Sequence, residues 1–311
     1  MSDLIGHQPI WEFLTHADDT DQRAHAYAFL GPRHVGKRFV ADRFAKRLLC
    51  LADAGNKPCA QCASCLAWDK GIHQDFLLLE RAADEHTISI ELLRGFLSKL
   101  NQSPIQSPRK VAIVDGAEHM LNPVANAFLK HLEEPSASTT IILIVHDRRR
   151  LLPTILSRCQ TIEFAPVTQA PAGAQELAWK QARGLPGLYS EYEKSPSLAQ
   201  QHADEEAVIW NLIDMTAGQR LAFLDNYFPK KKIDHALAKQ EWANRLRAWQ
   251  LGLRSAWLPN DRQQAPKQAN TAALVRVYDE LEQTRQGLTQ NINIRSHLER
   301  LCLTLDDCQN D

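Results

Sequence analysis

Four of the seven cysteines lie close together and form a candidate metal site. Cys50, Cys59, Cys62 and Cys65 follow the pattern C-x8-C-x2-C-x2-C. Four thiolates are the ligand set of a closed, tetrahedral zinc site, which leaves no position open for a reacting water. The spacing therefore predicts one structural Zn²⁺. Free or disulfide-bonded cysteines are one alternative, and an iron–sulfur cluster is the other.

A second group of residues has the spacing of a phosphate-binding loop. The octad Gly31-Pro32-Arg33-His34-Val35-Gly36-Lys37-Arg38 matches G-x-x-x-x-G-K-[ST] except at its last position. Gly31 and Gly36 would let backbone amides curve around phosphate oxygens, and Lys37 would meet a phosphate as a point charge. Arg38 replaces the hydroxyl residue that holds Mg²⁺ in such loops. The sequence thus argues against hydrolysis and leaves ATP binding at Lys37 open.

The elements that must position these groups are strands and helices in alternation. Residues 26–30 and 141–145 are apolar, and Val111–Asp115 is an apolar run that ends in a carboxylate. Such runs predict buried parallel strands, whose carboxyl ends present polar side chains to a ligand. Between Val111–Asp115 and residues 141–145, Asn122-Pro123 predicts the start of a short amphipathic helix that Pro135 ends.

Two motifs resemble those of the clamp-loader branch of the AAA+ ATPases. They are the run from Asn126 to Pro135 and the triplet Ser157-Arg158-Cys159, and the resemblance covers nearly the whole chain. It implies an α/β fold: an AAA+ P-loop domain with a parallel sheet and a zinc module, then a small helical lid domain and an all-helical collar domain. We place these domains at residues 1–166, 167–204 and 205–311.

The resemblance also implies roles for single residues. Arg158, with its motif neighbours Ser157 and Cys159, would reach in trans into the ATP site of an adjacent subunit. The alternative is a local ion pair of Arg158 with a residue such as Glu163. Catalytic members follow the strand-end aspartate with a glutamate that activates water, whereas Gly116 follows Asp115 here. Gly31, Gly36, Lys37 and Asp115 would then form a degenerate nucleotide site.

The later part of the chain has helical patterns. Ala182-Arg183-Gly184-Leu185-Pro186-Gly187 resembles the G-x-P-G turn that opens a helix of the family's lid domain, and a plain interhelical turn is the alternative. Trp242, Leu246, Trp249, Leu253 and Trp257 recur at helical spacing and predict a core stripe. The start of the last helix, Asn291-Ile292-Asn293-Ile294-Arg295, resembles the family's collar domain, which joins five subunits into a ring. Earlier in the chain, Arg109-Lys110 is interpreted as a solvated strand entry.

Composition limits the possible function classes. The chain has 311 residues with a formal net charge of −1, so an independently acting nucleic-acid-binding module is disfavoured. We see neither a signal peptide nor a membrane-length apolar run, and we expect a cytoplasmic protein. The resemblance implies a non-catalytic subunit that helps load a sliding clamp onto primed DNA, with τ/γ- and δ-type subunits as partners in a pentameric ring. The alternative is an ATP-hydrolysing subunit of the τ/γ type.

Overall fold

A computed structural model of the chain describes residues 4–80, 87–120, 122–134, 136, 138–227, 235–255, 271–288 and 294–305. Up to residue 163, helices and strands alternate as predicted. The strands are β1 (Ala26–Leu30), β2 (Phe76–Glu80), β3 (Lys110–Asp115), β4 (Thr139–Val145) and β5 (Gln160–Glu163). The helices are α1 (Gln8–Asp19), α2 (Lys37–Leu49), α3 (Ala63–Asp69), α4 (Ile90–Leu100), α5 (Asn122–Glu133) and α6 (Pro153–Leu156).

The five strands form one parallel sheet in the order β2-β3-β4-β1-β5. β1 lies between β4 and β5, and β3 lies between β2 and β4. All carboxyl ends therefore meet at one edge of the sheet, where open α/β sheets bind their ligands. The predicted α/β fold with a parallel sheet is confirmed.

Side chains of β1 alternate between two buried faces of the sheet. Ala26, Ala28 and Leu30 belong to a core cluster with residues of α4, α5 and α6. On the other face, Tyr27 contacts Phe44 of α2 edge to face, with ring centroids 5.7 Å apart. Because both faces are covered by helices, the strands are apolar throughout rather than alternating with polar residues.

After β5 the described elements are all helical. They are α7 (Glu176–Ala182), α8 (Pro186–Lys194), α9 (Pro196–Asp214), α10 (Ala217–Tyr227), α11 (His235–Ser255), α12 (Thr271–Gly287) and α13 (Ile294–Thr304). The chain divides into two compact units, Met1–Ser190 and Glu191–Asp311. The three-domain division at residues 166 and 204 stays a prediction.

The second unit has its own core. Trp242, Leu246, Trp249 and Leu253 are buried in a cluster with residues of α9, α12 and α13. The predicted stripe is thus core in the part of the chain that the structure describes, whereas Trp257 lies outside that part. The same holds for Asn291, Ile292 and Asn293 at the predicted start of the last helix, and for Pro135 after α5.

One expectation about a strand entry is wrong. Lys110 is buried, and its Nζ donates to the carbonyls of Lys99 at 2.6 Å and Gln102 at 2.7 Å. The ammonium therefore satisfies carbonyls at the C-terminal end of α4, where a cation is favoured by the helix dipole.

Within the described ranges, no helix has both the length and the apolar character that crossing a membrane would require.

Candidate functional site

The phosphate-binding loop lies at the carboxyl edge of the sheet, beside a cleft. The loop joins β1 to α2, and Gly31 and Gly36 have φ of 147° and 105°, in the region that favours glycine. The cleft has a volume of about 420 Å³, and its lining includes Gly36, Lys37 and Asp115. The structure thus brings the P-loop residues and the strand-end aspartate to one place, as predicted. It adds Gly187, whose N–H donates to the carbonyl of His34 at 2.8 Å.

Lys37 is bound to its own loop. Lys37 is only 3% exposed, and its Nζ donates to the carbonyls of Gly31 at 2.6 Å and Pro32 at 2.7 Å. Burial lowers the pKa of Lys37 to about 7, although the carboxylates of Glu118 and Asp115 oppose that shift. The lysine therefore closes the loop on itself, in the position where a phosphate would otherwise be met.

Arg38 occupies the carboxylate side of the cleft. Its Nη1 donates to Asp115 Oδ2 at 2.9 Å and to Glu80 Oε2 at 3.4 Å, and its Nε lies 2.9 and 3.0 Å from the two oxygens of Asp42. Burial opposes the charged guanidinium, but pairing with Asp42 and Asp115 raises the pKa of Arg38 above its ordinary value. The pairing with Asp115 could not be read from the sequence, because Asp115 is 77 residues away.

The position that carries a glutamate in catalytic relatives has no side chain here. Gly116 has φ of 74°, and a Cβ on it would approach His119 Cδ2 to 2.9 Å. The nearest following carboxylate, Glu118, is buried, and its Oε1 accepts from the backbone N–H of His146 at 3.2 Å. Burial raises the pKa of Glu118. Glu118 is not among the residues that line the cleft, so its carboxylate does not face the space where a water would be activated.

These residues do not fit a Mg²⁺-bound nucleotide. The fold would place the metal between a loop hydroxyl and the strand-end carboxylate, as other P-loop proteins do. Here the hydroxyl is replaced by a guanidinium that is already paired with that carboxylate, Asp115. No step of ATP hydrolysis is therefore derived for this cleft.

The four cysteines converge as predicted. Their Sγ atoms all lie within 4.8 Å of one another, with 3.6 Å from Cys50 to Cys59 and 3.9 Å from Cys50 to Cys62. Four sulfurs bound to one zinc at about 2.3 Å would be about 3.8 Å apart, so the donor set and spacing fit. Burial opposes ionisation of Cys62, but N–H donors of Cys65 and Leu51 outweigh it and lower its pKa to about 6. The cluster can hold a metal ion.

A buried polar network attaches this cysteine module to the sheet. Cys50 directly follows α2, and Cys62 caps α3 by accepting from the N–H of Cys65. Next to Cys65, the hydroxyl of Ser64 donates to the carbonyl of Leu49 at 2.6 Å and lies 2.8 Å from His73 Nε2. The module is thereby tied to the end of α2 and to the segment that enters β2. The sequence analysis missed this network because single serines and histidines carry no spacing signal.

Arg158 lies far from the cleft of its own chain. It follows α6 and precedes the first residue of β5, so it is at the amino edge of the parallel sheet, opposite the P-loop. Its Nη2 is 2.7 Å from Glu133 Oε1, with the two side chains 35% and 49% exposed. Its Nη1 donates to the carbonyl of Thr154 at 2.9 Å. The ion pair is with Glu133 and not with Glu163, which pairs with Arg148 at 3.2 Å.

The two motif neighbours hold the backbone of Arg158. The Ser157 hydroxyl donates to the carbonyl of Thr154 at 3.0 Å and lies 3.3 Å from Arg158 Nη1. Cys159 packs against the core cluster, and burial raises the pKa of its thiol to about 12. The turn thus has one side chain anchored in the core and one that braces the guanidinium.

Comparison with known proteins finds subunits of DNA polymerase III. The family described as DNA polymerase III, delta subunit, matches residues 6–168, slightly more than half of the chain. The DNA polymerase III subunit delta′ of Pseudomonas aeruginosa is 40% identical over 165 residues, 53% of this chain and 49% of that protein. The subunit delta′ of Bacillus subtilis is 34% identical over 51% of this chain and 47% of its own length.

A subunit of another name is similar to the same extent. DNA polymerase III subunit tau of Bacillus subtilis is 34% identical over 53% of this chain and 29% of that protein. The chain spans about half the length of the first two relatives, at 49% and 47%. Identity alone therefore does not separate the delta′ and tau types, and the separation depends on the residues of the site.

Proposed function

We propose that this chain, which belongs to the family described as DNA polymerase III, delta subunit, is a non-catalytic δ′-type subunit of a clamp loader. In this role it helps assemble the loader ring and offers Arg158 in trans to the ATP site of a neighbouring subunit. The loader ring is a component of the DNA polymerase III holoenzyme. The observation that carries the proposal is the place of Arg158, at the sheet edge opposite its own cleft.

The topology supports action in trans. Asp115 is the last residue of β3, and Lys37 begins α2 after the carboxyl end of β1, whereas Arg158 precedes the amino end of β5. In a parallel sheet these positions lie at opposite edges, so the guanidinium cannot serve the cleft of its own chain. A planar, permanently charged guanidinium that reaches a neighbour's γ-phosphate can stabilise the charge of the transferred phosphoryl group.

The local ion pair does not prevent this role. Arg158 and Glu133 are both partly exposed, at 35% and 49%, and exposed ion pairs contribute only about 0–1 kcal/mol because solvent screens them. Exchanging this partner for a phosphate therefore costs little.

The same residues disfavour an ATP-hydrolysing τ/γ-type subunit. Arg38 takes the place of the Mg²⁺-holding hydroxyl, and Gly116 takes the place of the water-activating glutamate. Both changes affect catalysis in this chain and neither affects Arg158. This combination suits a subunit that completes another active site without running its own.

The implied partners are τ/γ- and δ-type subunits in a pentameric ring. The sliding clamp and primed DNA would be reached through the assembled complex. The four-cysteine cluster, in which all Sγ atoms lie within 4.8 Å, is proposed to hold a structural Zn²⁺ with no open coordination position.

Arg158→Ala tests the proposal in a reconstituted loader. We expect the subunit to fold and assemble, because the change removes one interfacial charge and no core group. DNA- and clamp-stimulated ATP hydrolysis should fall. A single arginine finger can contribute about 10³- to 10⁵-fold, but the fall in a ring should be smaller since other interfaces keep their own arginines. Arg158→Lys should restore little, because an ammonium lacks the planar fork.

Glu133→Gln is the matched control. It breaks the same ion pair and leaves the guanidinium in place, so a role in trans predicts hydrolysis close to the wild type. If Glu133→Gln lowers hydrolysis as much as Arg158→Ala does, the pair is structural. Unchanged hydrolysis in Arg158→Ala at equal assembly would also reject the proposal.

A further inference from the structure

The carboxylates of the nucleotide cleft already have a cation, and the chain itself supplies it. Glu80 and Asp115 are register partners at the carboxyl ends of β2 and β3, so their carboxylates are neighbours. Asp42 lies one helical turn after Arg38 on α2. Arg38 contacts all three, through Nη1 to Asp115 and Glu80 and through Nε to Asp42. Three carboxylates therefore converge on one guanidinium.

We propose that Arg38 is a built-in substitute for the divalent cation, and that the cleft for this reason takes up neither Mg²⁺ nor a Mg²⁺-bound nucleotide. The inference concerns the isolated chain. It would stand even if the role in a clamp loader were rejected.

Three features of the cleft support the substitution. The guanidinium is permanently charged, so no change of pH within the physiological range vacates the position. A metal ion bound to Asp115 would lose one ligand to Arg38 and would meet a like charge at contact distance. Lys37 acts in the same direction, because its ammonium is held by the carbonyls of Gly31 and Pro32 at 2.6 and 2.7 Å. Lys37 and Arg38 thus both have their partners within the protein.

The competing idea is that Arg38 moves away when a metal arrives. Arginine has a long, flexible side chain, and this one is 35% exposed. Such a movement of Arg38 is disfavoured because it would break contacts to three carboxylates at once. A metal held by Asp115 alone would give no new partner to the other two, Asp42 and Glu80. The experiment below separates the two ideas.

The test measures Mn²⁺ binding to the whole 311-residue chain by electron paramagnetic resonance, at equal zinc content in all variants. The wild type should take up no Mn²⁺ that depends on Asp115. Arg38→Thr, which restores a hydroxyl and frees the carboxylates, should bind Mn²⁺ in the cleft at least about thirtyfold more tightly than the wild type, the factor that a unit charge at about 4 Å from a divalent ion gives in bulk water. Adding Asp115→Asn to Arg38→Thr should abolish the gain, and Arg38→Lys should show none.

Each outcome decides the matter. Mn²⁺ uptake by the wild type that is lost in Asp115→Asn would overturn the proposal, since the guanidinium would then not exclude the metal. A folded Arg38→Thr protein that binds no more Mn²⁺ than the wild type would also overturn it. If Arg38→Thr does not fold, the comparison of the wild type with Asp115→Asn decides alone: equal uptake supports the substitution and a difference rejects it.

Discussion

At the residue scale, Lys37 has an environment that its motif does not reveal. A P-loop lysine is usually considered through its charge, but this one is buried against two carbonyls and its pKa is lowered to about 7. A neutral amine still has two N–H groups, which matches the two carbonyl acceptors of Gly31 and Pro32. The loop can therefore stay closed without a charge on the lysine.

This environment predicts a pH dependence of stability. An unfolded lysine has a pKa of about 10.4, so between pH 7 and about pH 10 the unfolded chain binds more protons than the folded chain, and stability rises with pH. For one proton the slope approaches about 1.4 kcal/mol per pH unit. We expect the free energy of unfolding of the wild type to rise relative to Lys37→Met in denaturant titrations from pH 7 to pH 9.

The exposed Lys99→Met protein is the matched control for this measurement. It removes one exposed lysine and leaves the contacts of Lys37 in place, so it should keep the pH profile of the wild type. Parallel pH profiles of the wild type and Lys37→Met would show that the Lys37 ammonium keeps its proton in the folded protein.

At the element scale, the cysteine module joins the end of α2 to α3. Short sequence separations place Cys59, Cys62 and Cys65 together, but Cys50 is brought to them by the exit of α2. The contact of Ser64 with the carbonyl of Leu49 then fixes the same two helices through a second route. A bound metal and this hydrogen bond would therefore stabilise one junction jointly.

Cys62→Ser tests the metal at this scale. Elemental analysis should give about one zinc per chain for the wild type and close to none for the variant, because a closed site of four thiolates binds weakly when one is lost. The thermal midpoint of unfolding should fall with the zinc content. Cys302→Ser, a buried cysteine of the second unit, should keep its zinc. Equal zinc contents in Cys62→Ser and Cys302→Ser would show that the four-cysteine cluster does not hold the zinc.

At the scale of the whole molecule, the sheet separates two features. Arg158 lies at one edge, where we propose that it serves a neighbouring subunit, and the cleft lies at the other edge, where Lys37 and Arg38 are paired within the protein. The second unit has its own core, in which the fully buried Arg220 donates to the carbonyls of Leu212 at 2.7 Å and Cys302 at 2.8 Å.

The purified chain should therefore show no ATP hydrolysis of its own. ATP hydrolysis requires a hydroxyl that holds Mg²⁺ and a carboxylate that activates water, and Arg38 and Gly116 stand in those positions here. Phosphate release by the wild type should equal that of Lys37→Ala in a steady-state assay with Mg²⁺ and ATP. Turnover that Lys37→Ala abolishes would favour the τ/γ-type alternative over the δ′ type.

The sequence by itself determined the groups whose spacing is local. The four cysteines, the glycines of the P-loop, Arg38 in place of a hydroxyl and Gly116 after Asp115 are all visible in short runs. The parallel α/β fold was also predictable, because strands buried on both faces are apolar along their whole length. These inferences need only neighbours in the chain.

The tertiary structure decided the partners. Arg38 meets Asp115 and Glu80 only because β2 and β3 are in parallel register. Arg158 pairs with Glu133 because α5 ends beside α6, while Glu163 is taken by Arg148. Lys110 is buried because α4 ends with its carbonyls facing the start of β3. Which opposite charges or carbonyls come within hydrogen-bonding distance depends on strand register and helix packing, and neither is encoded by any single run of residues.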